Sequence, residues 1–472
     1  MEKKQKNDIF TEMKYYIFAL VMLSIFTHFL FWGYPNQVVF DEVHFGAFSS
    51  SYLTGEYFFD IHPPLGKILI SSFGRLGQAN PSTTFSTIGN SFDNMGYLWL
   101  RFLPNLAGML LPLVIFFLCL RLGFSKVASF FAGLFLILEN SLLVQSRFIL
   151  LDSFLLLFGF SGLLFYLVSR KQFVPKKKFT WLFLSVVFLT FSIAIKWTGL
   201  AYLGLVLLIE FIDWFKNYKQ WRLFAYFYRF LFFVFIPFFV YFSIFSIHFY
   251  LLDKTGPGNA FMTPAFQKTL IGNPYENDES VEPEAEILKF VELNMVMYGS
   301  NQHLTATHPY SSCWYTWPFL WRPIFYWNQT SDDKSTEAKI YLLGNPLIYW
   351  LSFEAFLVLL MTALVRSIDY KKNRKIFLFL IVGYLANLLP YIFVSRVLFL
   401  YHYFASLVFA IISLVFVVDK ITDQKIRLKK IVFICLTLLF LLSFLFIAPL
   451  TYGIPLSEGN WYQADWWPQN WR

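Results

Sequence analysis

The sequence predicts an all-α polytopic membrane protein. Three observations carry that expectation: 57% of the 472 residues are hydrophobic, only 14% are charged, and the apolar residues gather in runs long enough to cross a bilayer. A soluble domain carries roughly 25% charged residues, and a helix needs about 20 apolar residues to span the hydrocarbon core. A net charge of +9 would by itself suit a nucleic-acid binder, but the basic residues fall in short clusters between the apolar runs, which is how membrane orientation is encoded. Nucleic acid is therefore excluded as a partner, and membrane lipid is expected as one. Cys119, Cys313 and Cys435 lie far apart and offer neither a disulfide framework nor a cysteine metal site.

The first apolar run is too long for a signal peptide and no small-residue cleavage site follows it, so it is expected to remain as a first membrane helix. Eleven spans are expected, at 15–33, 98–120, 126–144, 148–168, 179–195, 198–214, 226–249, 346–366, 375–394, 397–418 and 430–449, in one membrane domain covering 1–472. Charge tests the count. With a cytoplasmic N-terminus, the even-numbered connections face the cytoplasm, and "RLGFSK", "SRKQFVPKKK", "KNYKQWR", "RSIDYKKNRK" and "DKITDQKIRLKK" all fall there. The same parity places two long loops, 34–97 and 251–345, and the tail 450–472 on the outer face, where function is to be sought. Within the second loop "ENDESVEPEAE" reads as a solvated acidic stretch. Most Trp and Tyr of "HPYSSCWYTWPFLWRPIFYW", and Trp461, Trp466, Trp467 and Trp471 of the tail, suit an interfacial aromatic belt. His308, Tyr310 and Arg322 of that segment are kept as substrate-site candidates.

A charge at a helix centre costs about 2.5 to 3.5 kcal/mol on insertion scales. Each one at the edge of a span therefore needs a reason. Arg101, Arg147, Asp152, Lys196, Arg396 and His402 all map near outer ends of spans, which suggests one outer-face site of acids and cations beside lipid. Such a site can take a proton from an attacking hydroxyl and hold a departing phosphate. Asp41 and Glu42 are adjacent, so their side chains diverge, and one is expected to act as base while the other supports it. The competing structural reading is that both cap the short helix suggested by "EVHFGAFSSSYLTG". In "DIHPPLGK", prolines hold His62 extended and Gly66 permits close approach. His62 and Lys67 could meet acceptor or phosphate, or Lys67 could simply snorkel from an interfacial helix. "ENSLLVQSRFILLDS" reads as the outer turn between spans three and four. Its Arg147 could bind phosphate, hold Asp41 ionised, or anchor at head groups.

These segments resemble the protein O-mannosyltransferase family, membrane glycosyltransferases of the GT-C type. "FDEVHFG", "YFFDIHPPLGK", "ENSLLVQSRFILLDS", "IAIKWTGL", "IHFYLLDKTGPGNAFMTPAFQ", "HPYSSCWYTWPFLWRP", "LGNPLIYW" and "LPYIFVSRVLFLYHYF" occur in the family's order over most of the chain. The resemblance implies a GT-C fold and transfer of mannose, with inversion, from a polyprenyl or dolichyl phosphate to Ser or Thr hydroxyls of proteins. It implies Asp41 as catalytic base with Glu42 its neighbour in the acidic motif, and it matches Arg147 to the family's arginine after the third span. Donor-phosphate roles for Arg147, Lys196 and Arg396, and substrate-site roles for His62, Lys67, Arg101, His308, Tyr310, Arg322 and His402, are expected from position. No cofactor is obligatory beyond the lipid-linked sugar. A carboxylate beside phosphate is compatible with a divalent cation, but the resemblance favours a metal-independent reaction.

One departure bears on the source and the acceptor. The second loop is too short for the β-trefoil MIR domain that eukaryotic members insert there. A bacterial or archaeal plasma membrane is thus favoured over the endoplasmic reticulum, acceptor recognition falls to the loops, and association with an export channel fits this arrangement. The nearest alternative is a GT-C transferase moving a lipid-linked sugar to a lipid, glycan or wall-polymer acceptor. A transporter is disfavoured because the charges gather at one face instead of running through the bilayer.

Overall fold

Every apolar run expected to cross the bilayer falls on a helix in the structure, a computed structural model that describes residues 2–216, 223–303, 305–457, 459–460, 462 and 468–471. The features expected at Trp461, Trp466 and Trp467, and most of "KNYKQWR", lie outside the described residues. Helix α1 (Glu2–Phe29) leads into the first long loop, which folds as α2 (Glu42–Thr54) and α3 (Leu65–Leu76). There follow α4 (Tyr97–Leu122), α5 (Lys126–Ile137), α6 (Asn140–Ser146), α7 (Asp152–Arg170), α8 (Pro175–Ile195), α9 (Leu200–Lys216) and α10 (Leu223–Leu251). The second long loop carries α11 (Pro264–Gln267), α12 (Glu286–His303) and strands β1 (Ile324–Thr330) and β2 (Thr336–Leu342). Helices α13 (Pro346–Leu364), α14 (Ile368–Leu388), α15 (Phe404–Ile421) and α16 (Ile426–Tyr452) close the bundle, with β3 (Leu456–Ser457) after them.

Two details refine the expected fold. Among the described residues nine helices are each long and apolar enough to cross a membrane, and the other two expected spans fall on a shorter helix and a broken one. The apolar part of α1, Met13–Phe29, is shorter, and α5 with α6 form one span bent by 62°. Glu139 causes that bend. It leaves the helix in an extended conformation and its buried carboxylate accepts from Leu142 N at 2.7 Å, Ser141 Oγ at 2.8 Å and Asn345 N at 2.9 Å. An acid that caps the next helix satisfies donors the bend leaves open.

The second detail is a small amount of sheet beside the helices. β1, β2 and β3 make a small antiparallel sheet in that order, with Thr330 opposite Glu337 and a bulge between Phe325 and Trp327. Trp317, Tyr326 and Trp327 are fully buried and so are not belt residues, whereas Tyr315 and Trp321 are exposed. The two long loops are stitched together: Tyr57 N donates to Lys254 O at 2.9 Å and Gly258 N to Tyr57 O at 3.0 Å. A Cβ at Gly256 would lie 2.3 Å from Tyr57 O, so only glycine allows this approach.

Candidate active site

The acidic motif begins with a strained residue. Phe40 sits at φ +39°, a region costly for a bulky side chain. It is held there by a hydrogen bond from its N to Tyr326 O at 3.1 Å and by stacking on the Tyr326 ring, centroids 4.5 Å apart. Glu42 is then drawn inward. Its Oε1 accepts from Arg101 Nε at 2.7 Å and Ile149 N at 2.9 Å, and its Oε2 from Arg101 Nη2 at 2.6 Å and Val39 N at 2.9 Å. The Asp41 side chain makes no capping bond to α2 and takes no described hydrogen-bond or ion-pair partner, so the capping reading fails for it. Burial pushes its carboxyl up to about 7, with Lys196 pulling down and Asp152 and Asp60 pushing up.

A connected chain of polar groups surrounds that carboxyl. Tyr326 Oη donates to Gln145 Oε1, Gln145 Nε2 donates to Asp152 Oδ2 at 2.6 Å, and Lys196 Nζ donates to Asp152 Oδ1 at 2.7 Å. Lys196 also lies over the Tyr401 ring at 5.0 Å. The elements deliver these groups by their ends: Asp152 is the first residue of α7 and Lys196 the extended residue immediately after α8.

Lys196 opens onto a cavity of about 470 Å³. His62 and Ile61 come from the first long loop, Tyr298, Asn301 and Gln302 from the end of α12, and Tyr391, Arg396 and His402 from the segment joining α14 to α15. Arg396 is half-buried and has no ion pair among the described residues. Asp41 does not line this cavity. It stands within electrostatic range of Lys196, which does. His62 stacks on Phe45, and burial, with Lys196, Lys67, Arg396 and His402 nearby, holds its imidazole well below the usual range, so the ring is neutral. His402 stacks on Trp317, and its Nδ1 accepts from Phe399 N at 3.1 Å. A second cleft of about 490 Å³ lies across the same wall, sharing Tyr391, Ser395 and Arg396 and bounded by Thr305, Ser312 and Trp314.

The structure thus brings together Asp41, His62, Lys196, Arg396 and His402, and it places the other candidates elsewhere. Arg101 is wholly buried and gives its remaining donors to the carbonyls of Gly33, Pro35 and Gln37 at 3.0, 2.6 and 2.7 Å. Arg147 donates to Leu30 O at 2.8 Å and Phe31 O at 2.9 Å and stacks on Tyr452, and it lines neither cavity. Lys67 is buried in an ion pair with Asp60 and donates to His62 O at 2.7 Å, which fixes the turn instead of meeting phosphate. His308 packs edge-on against Phe40 and Phe399, while Arg322 lies over Tyr310 and donates to Pro309 O at 3.2 Å. Asp152 is legible as a costly membrane-edge charge, but its partner Gln145, and Tyr326 that donates to Gln145 in turn, are not. Neither are Asn301 and Gln302. Among the described residues no group of three or more His, Cys, Asp or Glu is arranged to hold a metal ion.

Comparison with known proteins follows the same lines. Residues 18–253 match the family model described as dolichyl-phosphate-mannose-protein mannosyltransferase, and residues 286–471 match the C-terminal four-transmembrane region of protein-O-mannosyltransferase. The dolichyl-phosphate-mannose–protein mannosyltransferase 4 of Candida albicans is 36% identical over 270 residues, 54% of this chain and 35% of that protein. The protein O-mannosyltransferase 1 of Drosophila melanogaster is 33% identical over 343 residues, 71% of this chain and 37% of that protein. The matched segments span little more than a third of these relatives' length. In structure, the chain resembles the Saccharomyces cerevisiae protein O-mannosyltransferase Pmt1-Pmt2 complex bound to the sugar donor, with TM-score 0.84, 19% identity, and 94% of this chain and 90% of that chain covered. ArnT from Cupriavidus metallidurans bound to undecaprenyl phosphate follows at TM-score 0.51 and 16% identity, covering 88% of this chain and 62% of that one. At such identities the likeness establishes the fold, which is the GT-C fold.

Proposed function

The chain belongs to the dolichyl-phosphate-mannose-protein mannosyltransferase family, and from that premise we propose that it moves mannose from a polyprenyl or dolichyl-type phosphate to Ser or Thr hydroxyls of a protein acceptor at the outer membrane face. Asp41 takes the proton of the acceptor hydroxyl as that oxygen attacks the anomeric carbon from the side away from the phosphate. The bond from the anomeric carbon to the phosphate oxygen breaks, its electron pair leaves with the phosphate, and the sugar is inverted. Lys196 and Arg396 stabilise the charge that collects on the phosphate, and His62 and His402 form the polar wall between them.

The observation that carries this reading is the state of Asp41. Its carboxyl has no hydrogen-bond or ion-pair partner among the described residues, is pushed up to about 7 by burial, and stands within electrostatic range of Lys196, which opens onto the cavity. A base is most effective when its pKa lies near the working pH. The outer-face placement is supported by the basic helix ends, Arg121, Arg170, Lys216 and Arg374, which lie at the ends of α4, α7, α9 and α14 away from the acidic loops. The cleft that shares the Arg396 wall is the proposed acceptor side, so one wall serves both substrates.

The test is direct. Purified protein in lipid is incubated with polyprenyl-phosphate mannose and a Ser/Thr-rich peptide, and the peptide is weighed by mass spectrometry. A hexose gained with wild type and reduced by about 10²-fold or more in Asp41→Asn, with donor still bound, is the expected result. Turnover retained in Asp41→Asn would remove Asp41 as base, and hexose in lipid or glycan instead of peptide would reassign the acceptor.

A further inference from the structure

Four helices, three of which reach the site at one end, meet at the other. α4 runs from near Arg101 to Arg121, α7 from Asp152 to Arg170, the segment after Lys196 continues as α9 to Lys216, and α14 carries Arg374 and Lys375 in its first half and ends toward Tyr391. At these far ends they enclose a groove of about 280 Å³. Its rim carries Arg121, Arg170, Lys216, Arg374 and Lys375 against a single acid, Asp213. That acid is already paired with Arg170. Arg121, Lys216, Arg374 and Lys375 have no ion pair among the described residues. The floor is apolar, with Leu205, Ile209 and Ile212 from α9 and Phe379 and Val382 from α14.

Four unpaired cations above an apolar slot between two membrane-spanning helices match one kind of amphiphile. We propose that this groove binds an acidic glycerophospholipid of the leaflet opposite the acid-bearing loops, its phosphate against the Arg121–Arg374–Lys375 rim and an acyl chain between α9 and α14. A zwitterionic lipid brings its own cation to the rim and gains nothing there. Juxtamembrane cations attract anionic head groups individually, and an apolar slot beneath them makes the attraction a site. Nothing in the proposed transfer reaction uses these residues, and the bound lipid would brace the helices whose opposite ends hold Asp152, Lys196 and Tyr391.

The full chain, purified in detergent, is titrated with phosphatidylglycerol and with phosphatidylcholine of the same acyl chains, and retained lipid is counted by native mass spectrometry. Wild type is expected to hold one phosphatidylglycerol about tenfold or more tighter than phosphatidylcholine. Arg374→Gln/Lys375→Gln should lose that preference, and Ile209→Trp, which fills the slot without touching charge, should lose the tight adduct. Lys176→Gln/Lys177→Gln, which removes two exposed cations of the same face outside the groove, should keep both. Equal losses in the two double variants would mean diffuse attraction and overturn the site. Equal retention of the two phospholipids, or displacement of phosphatidylglycerol by equimolar polyprenyl phosphate, would overturn the assigned occupant.

Discussion

Arg101 and Glu42 form a bidentate pair that neither solvent nor substrate reaches: Nε lies 2.7 Å from Oε1, Nη2 lies 2.6 Å from Oε2, and both side chains are fully buried. With three carbonyls and two carboxylate oxygens as acceptors, every N–H of the guanidinium is used. Glu42 is filled in the same way by Val39 N and Ile149 N. Neither group has capacity left for chemistry. Together they fix where the backbone carries Asp41.

Removing one partner of such a pair leaves a buried uncompensated charge, at a cost of about 3 to 5 kcal/mol. Arg101→Ala should therefore lower the thermal unfolding midpoint and the yield of monodisperse protein. Arg101→Lys should rescue little, because an ammonium cannot reproduce the planar fork. The check is a scanning fluorescence melt beside the peptide assay. Wild-type melting with a selective loss of kcat in Glu42→Gln would instead place Glu42 in the reaction.

The corrections to the sequence reading share a physical cause. Apolar length made the spans legible, and the high cost of membrane-edge charge made Asp152, Lys196, Arg396 and His402 legible. The same cost says nothing about what offsets it. Arg101 and Arg147 read as ligand-binding cations, yet apart from Glu42 their acceptors are main-chain carbonyls at Gly33, Pro35, Gln37, Leu30 and Phe31, remote in sequence and carrying no side-chain signal. The β1–β2 hairpin did carry one, in "IFYWNQTSDDKSTEAKIYL", where aromatic and β-branched residues flank a polar turn. Its aromatic density was read as a membrane belt. Glu139 inside an apolar run likewise marked the bend between α5 and α6.

The pH profile of transfer should rise through about 7 as Asp41 ionises and becomes able to accept a proton. Lys196 lowers that value, so Lys196→Met should move the rising limb to higher pH as well as slow the reaction. Initial rates across pH 5 to 9 at saturating donor measure both effects. A limb that stays in place in Lys196→Met would separate Lys196 from the base.

Stability should move opposite to activity at the same residue. The Asp41 carboxyl is raised from 3.8 to about 7 on folding, so its ionised form is disfavoured in the folded chain. The destabilisation is absent below the unfolded value, grows between the two values, and is constant above the folded one. Asp41→Asn should accordingly melt higher than wild type at pH 8, with the gap closing as pH falls toward 4. Parallel melts at pH 4, 6 and 8 read it. A gap independent of pH would mean that the burial of this carboxylate is not what stores the energy.

Arg147 and Arg396 stand in contrasting places, one clamped on main-chain carbonyls and the other on a cavity wall. Arg147 clamps the end of α1 through Leu30 O and Phe31 O and stacks on Tyr452 at 4.6 Å, away from both cavities. Arg396 stands on the wall that both cavities share and has no ion pair among the described residues. A charge-assisted bond to phosphate contributes about 1.5 to 3 kcal/mol, so Arg396→Ala should raise the donor KM about tenfold or more with an unchanged melt. Arg147→Ala should lower the melt and leave the donor KM of the surviving folded fraction near wild type. Donor titrations of both variants at one pH, each normalised to folded protein, decide the matter: a raised donor KM in Arg147→Ala with an intact melt would return Arg147 to the phosphate site and require the end of α1 to move when donor binds.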